Sequence, residues 1–388
     1  MTVMAMLAFW LSFAALAYVY AGFPLLVAIV GRLRRREVRA AAITPPVSLV
    51  IAAYNEEAVI RERLDNALAV DYPRDRLQVL VAADGCTDAT ASIVENYADR
   101  GVELLQLPRQ GKIHALDAAV RHATGEILIF SDANTICEPR ALRALVRNFA
   151  DPEVGGVAGH TGYRLETGSE SSSRGEQLYW DYDTWLKRLE SWTGSVVSAH
   201  GGLYAVRRSL YRPVLDPAVT DDFAISTTVI EQGYRLVFEG AARATEFAVP
   251  EARREFRRRV RLMTRGLRGV WLRRALLNPF RQGFYAVVLF SHKVARRLAP
   301  LPLLVLAVAS AYLASTAPFY AAAALGQTAF YGLALLGFLL RRVAVGRLKP
   351  IYVPFYYCMA NVASVIAVVQ ALRGQRIASW QPQRQAVP

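Results

Sequence analysis

Apolar positions are unevenly spread along the chain. Residues 2–31 carry no charged side chain and end on the basic run RLRRREVR, residues 32–39. A bilayer core takes roughly 20 apolar residues in a helix, so this segment predicts one membrane-spanning helix. A cleaved signal peptide would place its positive charges before a shorter apolar core. Here the charges follow the apolar run, as in a stop-transfer anchor. Residues 298–340 are likewise uncharged and broken near Ala317-Pro318, which predicts two spans joined by a tight turn. Residues 350–372 predict another.

Between these ends the pattern changes to short β-rich runs followed by helical spacing. VSLVIAAYN (47–55) precedes EEAVIRERLDNAL, LQVLVAAD (77–84) precedes a helix expected from Thr87, and VELLQLP (102–108) precedes KIHALDAAVRHA. EILIFSDAN (126–134) then precedes a helix expected from Glu138. Such alternation predicts βαβ units and a mostly parallel sheet covered on both faces. The expected organisation is an N-terminal transmembrane helix at 1–31, an α/β domain at 32–250 and Arg-rich amphipathic helices at 251–297. A C-terminal region of two to three spans at 298–372 and a tail at 373–388 complete it.

Composition agrees with this division. The 388 residues are 54% hydrophobic with a formal net charge of +14, too apolar for an ordinary soluble chain and too charged for one wholly in lipid. Lys and Arg collect on the cytoplasmic side. RLRRREVR, the stretch after residue 252 and RRVAVGRLK (341–349) therefore place the central domain in the cytoplasm. A full span at 350–372 would put Arg373 and Arg376 outside; the alternative is a re-entrant or interfacial segment. Cys86, Cys137 and Cys358 form no CxxC pair, and the five histidines show no ligand spacing, so neither a zinc site nor a disulfide framework is indicated. No internal repeat is present, only a Ser-rich loop near 169–173.

In doubly wound sheets ligands sit beyond the carboxyl ends of the strands. Polar residues collect there: Tyr54, Asn55 and Glu56 after the first strand, Asp84 after the second, and Asp132 with Asn134 after the fourth. Each alone is explained as a helix cap or turn former. Three strand ends carrying such groups to one edge exceed what capping requires.

The ordered set AYNEE, ADGCTD, GKIHALDAA, SDANT, GGLYAVRRSL, TDDF and FRRRVR resembles the family 2 glycosyltransferases. It is similar in particular to the membrane-anchored bacterial branch of poly-N-acetylglucosamine, hyaluronan and cellulose synthases. SHKVARRLAP (291–300) looks like that branch's entry into its C-terminal spans. The resemblance implies a GT-A fold and an Asp-x-Asp type element, here Asp132-Ala133-Asn134, holding Mg2+ or Mn2+ against the diphosphate of a nucleotide sugar. Asn134 departs from the two-carboxylate form and removes one negative charge. In TDDF the resemblance makes Asp222 the base, able to take a proton from an acceptor hydroxyl, and Asp221 its neighbour. Both also suit the positive end of the helix that follows.

Donor binding falls by resemblance to Ala53, Tyr54, Glu56, Asp84, Lys112 and Asp132. An aromatic face can stack on uracil and a carboxylate can accept its imide N–H, so a UDP-sugar is the implied donor. Ala83 and Asp117 depart from the family's usual Asp and Asn. Gly201 and Gly202 match the acceptor-side turn, where glycine permits close backbone approach. The aromatics of YWDYDTWLKRLESW (179–192) either stack on sugars or bury against the bilayer.

From Arg253 to Arg274 there are ten arginines. Arg254, Arg258, Arg261, Arg265 and Arg268 share one helical face, opposite Phe256, Val260, Met263, Leu267 and Trp271. A basic amphipathic helix of this kind lies in the membrane interface, and the flanking spans make membrane lipids, not nucleic acid, its partner. RRVRL (258–262) aligns with the QxxRW element of processive synthases. Arg261 keeps the arginine and its donor-phosphate role, whereas Leu262 replaces the aromatic and argues against strong processivity.

Together these features imply a multi-pass protein of the bacterial cytoplasmic membrane, its catalytic domain facing the cytoplasm. It would move a sugar from a UDP-sugar to a hydroxyl of a lipid-linked or polysaccharide acceptor in exopolysaccharide or cell-envelope synthesis, with polysaccharide-export partners. The rivals are transfer to a polyprenyl phosphate and a catalytically silent scaffold. A transporter would need polar groups within the spans, and 298–340 holds no charge.

Overall fold

A computed structural model describes residues 1–164, 171–247 and 252–377. The chain enters on α1 (Thr2–Ala17) and α2 (Phe23–Leu33), joined by a π-helical turn at Tyr18–Gly22. Next come β1 (Val47–Ala53), α3 (Ile60–Ala69), β2 (Leu77–Asp84), α4 (Thr90–Glu95), β3 (Val102–Leu107), α5 (Lys112–His122) and β4 (Ile127–Asp132). They are followed by β5 (Ile136–Cys137), α6 (Ala141–Val146), β6 (Val154–Arg164), α7 (Ser171–Thr193), β7 (Tyr204–Arg207), α8 (Asp221–Glu231) and β8 (Arg235–Phe247). The remainder is helical: α9 (Ala252–Leu272), α10 (Pro279–Gln282), α11 (Phe284–Leu289), α12 (Arg296–Leu298), α13 (Pro300–Leu313), α14 (Pro318–Leu340) and α15 (Lys349–Leu372). Two compact units result. A helical unit takes Met1–Val30, Leu165–Leu186 and Ala248–Gln375, and a sheet unit takes Gly31–Arg164 and Lys187–Phe247. Most of the expected tail lies outside the described residues, as do residues 169–170 of the expected Ser-rich loop, whose remaining residues 171–173 are not loop but open α7.

The sheet unit has eight strands in the order β3-β2-β1-β4-β7-β6-β8-β5. The first four are parallel, with Val47 opposite both Leu77 and Ile127, as the strand-helix alternation predicts. The second half is mixed: β7 runs antiparallel to β4 and β6, β6 and β8 are parallel, and β5 pairs antiparallel with β8. β1 is buried at all seven positions, which is why it reads as a continuous apolar run rather than an alternating one. Leu49, Ile51, Val79, Val81, Ile127 and Ile129 pack with Ile60 and Leu64 of α3 into one core. Full burial of such a side chain contributes about 1.5–3 kcal/mol. Helices expected at Thr87 and Glu138 start at Thr90 and Ala141. The second delay reflects β5, which uses Ile136 and Cys137 to pair with Thr245 and Ala244.

In the helical unit, Thr2–Leu33, Pro318–Leu340 and Lys349–Leu372 are long and apolar enough to cross a membrane. The break expected at Ala317-Pro318 is present, but α13 has only 14 residues, about 21 Å at 1.5 Å per residue, short of a bilayer core of about 30 Å. It meets the length only with Phe284–Leu298, to which it is bent by 49°, so the last part of the expected interfacial stretch belongs to a bent candidate span. Phe9 of α1 packs edge-on against Tyr320, with centroids 5.0 Å apart, beside Leu313 and Ala309.

Residues 165–186, expected within the α/β domain, group instead with the helical unit. Asp183 and His292 there form a buried pair at 2.9 Å, and Arg296 stacks 5.1 Å over Tyr182. The arginine stripe of α9 also differs from expectation. Arg265 and Arg259 are buried, while Trp271 on the supposed apolar side is exposed. The cause is packing along α15. Phe256 joins Phe355, Tyr356 and Met359, the Thr264 hydroxyl donates to Gln370 at 2.8 Å, and Glu255 pairs with Arg258 and Arg259 at 3.2 and 3.1 Å.

Candidate active site

The strand order reverses at β1, whose neighbours are β2 and β4, so the crevice of a doubly wound sheet falls at the carboxyl ends of these strands. β1 ends there at Ala53. The residue lies in the core at 0% exposure, its carbonyl accepting from the Cys86 thiol at 3.6 Å. Tyr54 follows, then Asn55 at φ 52, a left-handed conformation that Asn tolerates. Asn55 is fixed by reciprocal bonds: its amide donates to the Thr87 hydroxyl at 3.0 Å, and Thr87 N donates back at 2.8 Å. The Thr90 hydroxyl accepts from Glu56 N at 2.8 Å. The AYNE turn is thus pinned to the start of α4.

β2 ends at Asp84, 1% exposed. Its carboxylate accepts from Gln110 N at 2.8 Å and Gly111 N at 2.9 Å, and pairs with the Arg109 guanidinium. The acid expected to read uracil is in this conformation committed to the loop that opens α5. Gly111, at φ 102, supplies a conformation closed to most side chains. Arg109 in turn lies over the Tyr54 ring, 3.4 Å from its centroid.

Lys112 begins α5 at the centre of the site. Its Nζ lies 2.6 Å from Asp132 Oδ1 at the end of β4 and 2.8 Å from Asp221 Oδ2 at the start of α8. Burial works against the ammonium, but the two carboxylates outweigh it and hold its pKa above the ordinary lysine value. Asp221 and Asp222 are the first residues of α8, whose Thr220 N-cap gives no side-chain cap bond. They sit at the positive end of the helix dipole, and Asp222 Oδ1 accepts from Phe223 N at 2.7 Å.

Asp132 is supported from beneath by Arg63, fully buried on α3. Arg63 Nε donates to the Asp132 carbonyl at 3.4 Å and its NH1 to Asn66 at 3.2 Å. Asn66 in turn bonds Cys137 N and O, both at 2.8 Å, so one helix face grips the whole turn from Asp132 to Cys137. The Ser131 hydroxyl donates to the Gly202 carbonyl at 2.8 Å. A Cβ on Gly201 would stand 3.3 Å from Asp132 Oδ2, placing this glycine against the carboxylate. Gly202 faces elsewhere; a Cβ there would meet Glu246 Oε1 at 2.5 Å and Thr161 at 2.7 Å. Its smallness serves packing. Tyr204 stacks on Phe130 at 5.0 Å, and its buried hydroxyl has no hydrogen-bond partner among the described residues. Burial first, then Asp221 and Asp222, push its pKa well up, so the phenol stays neutral.

The donor set fits a divalent cation. Asp132 and Asp221 come from different elements and already converge on one positive group, and Asn134, half-buried, follows Asp132 by two residues. Among the described residues no three His, Cys, Asp or Glu side chains cluster, so an ion there would fill its shell with the amide, water and ligand oxygens.

Arg261 lies on α9 of the helical unit. Burial, then Arg265 and Arg258, lower its pKa to about 10, and its buried Nε has no partner among the described residues.

Three residues were missed by sequence reasoning. Arg63 had a signal, since it falls on the apolar face of α3 between Ile60 and Leu64. Arg109, in a loop before a glycine, and Tyr204, in an ordinary strand, had none.

Residues 48–215 match the family described as Glycosyl transferase family 2. Among curated proteins, "Probable glycosyltransferase YdaM" of Bacillus subtilis is 27% identical over 210 residues, which is 51% of this chain and 50% of that protein. "Poly-beta-1,6-N-acetyl-D-glucosamine synthase" of Staphylococcus aureus is also 27% identical over 210 residues, covering 50% and 48%. The chain spans about half the length of the curated relatives it matches. Among solved structures, the mannosyltransferase PcManGT from Pyrobaculum calidifontis, in complex with GDP-Man and Mn2+, is 26% identical at a TM-score of 0.72. That likeness covers 95% of this chain and 99% of the other.

Proposed function

We propose that the chain, whose residues 48–215 match Glycosyl transferase family 2 and which is similar over 95% of its length to a solved mannosyltransferase, is a membrane-bound inverting family 2 glycosyltransferase with a GT-A fold. It moves a sugar from a nucleoside-diphosphate donor to a hydroxyl of a lipid-linked or polysaccharide acceptor. The observation that carries this reading is the convergence of Lys112, Asp132 and Asp221 at the switch point of the sheet. Asp222 accepts the proton of the attacking hydroxyl, a role whose worth is about 10²–10⁴ in rate. Lys112 meets negative charge on the donor, and Tyr54 with Arg109 forms the wall for its base; the donor-phosphate role of Arg261 rests on the resemblance alone. Asp132 and Asn134 hold Mg2+ or Mn2+, which when bound supplies Lewis-acid stabilisation of the departing diphosphate.

A second reading of the donor has its own support. The resemblance implies uridine, but the Asp84 carboxylate expected to accept its N–H is committed to Arg109, Gln110 and Gly111. The mannosyltransferase similar over nearly the whole chain binds GDP-Man. Uridine and guanosine donors therefore both belong in the test. The candidate spans and the basic stretches beside them support anchoring in the bacterial cytoplasmic membrane, with the sheet unit on the cytoplasmic side and a role in exopolysaccharide or cell-envelope synthesis.

The experiment is nucleoside-diphosphate release by the full detergent-solubilised chain over UDP- and GDP-sugars, with Mn2+ and native membrane lipids. Release from one donor is expected and identifies it; release from none would leave the scaffold reading.

A further inference from the structure

Lys112 is a buried ammonium held between two carboxylates that belong to different elements. Its side chain is 13% exposed, and Gly201 closes over the same pair, with its Cβ position 3.3 Å from Asp132 Oδ2 and 3.8 Å from Lys112 Nζ. An ammonium centred between two carboxylate oxygens at 2.6 and 2.8 Å occupies the kind of position a divalent ion takes between such groups. We propose that Lys112 is an internal placeholder for the metal: ammonium and divalent cation compete for Asp132 and Asp221, so the ion enters together with the donor. Asp221 thereby becomes a metal ligand as well as the neighbour of the base. The inference rests on the transferase reading for its choice of donor, but not for its geometry.

Charge arithmetic supplies the coupling. Asp132, Asp221 and Lys112 sum to one negative charge. A divalent ion taking both carboxylates without a donor leaves the ammonium buried and unpaired, which is strongly unfavourable. A nucleoside diphosphate arriving with the ion brings phosphate oxygens to receive the displaced ammonium. Metal and donor then favour each other's binding, and by linkage the effect is reciprocal. Removing the ammonium removes the competitor.

The test is direct Mn2+ binding to the full detergent-solubilised chain without nucleotide, read by electron paramagnetic resonance of free Mn2+. Lys112→Met is expected to bind Mn2+ at least tenfold more tightly than the wild type. Lys112→Arg keeps a cation and is expected to stay weak. The gain is expected to vanish in Lys112→Met/Asp221→Asn. Lys112→Gln is the second neutral variant should the methionine fail to fold, with thermal melts checking both. Equal or weaker Mn2+ binding by the neutral variants, or a gain that survives Asp221→Asn, would overturn the proposal. Tighter binding by the neutral variants with no sugar-nucleotide turnover by the wild type would retain the placeholder and remove the transferase reading. Turnover without tighter binding would do the reverse.

Discussion

The guanidinium of Arg109 lies 3.4 Å from the centre of the Tyr54 ring and is paired at its other edge with the buried Asp84. One side chain thus joins the carboxyl ends of β1 and β2 and braces the loop leading to Lys112. Arg109→Gln is expected to raise the donor KM by about 10- to 150-fold with kcat within about threefold, since a charge-assisted bond is worth about 1.5–3 kcal/mol. Steady-state kinetics over donor concentration checks this; an unchanged KM would remove Arg109 from the donor wall.

Gly201 and Gly202 are adjacent but have different neighbours. A methyl on Gly202 would press on Glu246 and Thr161, whereas one on Gly201 would approach Asp132 at 3.3 Å. Gly202→Ala is expected to lower stability by about 1–3 kcal/mol, the usual range for overpacking. Gly201→Ala is expected to reduce transfer more than it lowers Tm. Thermal melts and turnover on both variants separate the two effects.

Arg63 is a fully buried cation whose Nε reaches the Asp132 backbone. Its bonds run to a backbone carbonyl and the Asn66 amide rather than to a carboxylate, so an apolar chain of similar volume removes a costly buried charge. Arg63→Met is therefore expected to hold Tm within a few degrees while transfer falls about tenfold, because the turn bearing Asp132 and Asn134 loses its support. A variant that melts early yet keeps wild-type turnover would make Arg63 purely structural.

Asn134 supplies a neutral oxygen where a carboxylate would add charge. Asn134→Asp is expected to lower the Mn2+ concentration giving half-maximal transfer, and chelation by EDTA is expected to abolish transfer in both proteins. Metal titration of turnover provides the check; an unshifted midpoint would place Asn134 outside the metal's shell.

Much of this was legible in the chain because apolar runs end abruptly. The strand ILIFSD and the residues Asp132 and Asn134 announce themselves by polarity at the limit of a buried element, whereas Asp221 and Lys112 were marked by the resemblance. What was not legible depends on partners distant in sequence. Asp84 stands out as a polar strand end, but its pairing with Arg109, 25 positions later, has no local signal. Residues 165–186 read as part of the α/β domain because the partner of Asp183 is His292, which local pattern cannot reveal. The mixed half of the sheet was hidden for the same reason, since β7 has four residues and its antiparallel partners β4 and β6 are set by long-range pairing.

The central claim is that Asp222 removes the acceptor proton, and the direct measurement is Asp222→Asn compared with the wild type in sugar transfer and in donor binding. The account predicts transfer lowered about 10²–10⁴-fold with the donor Kd within about threefold. Transfer kept within about tenfold of wild type would contradict it and favour a phosphate acceptor that needs no base.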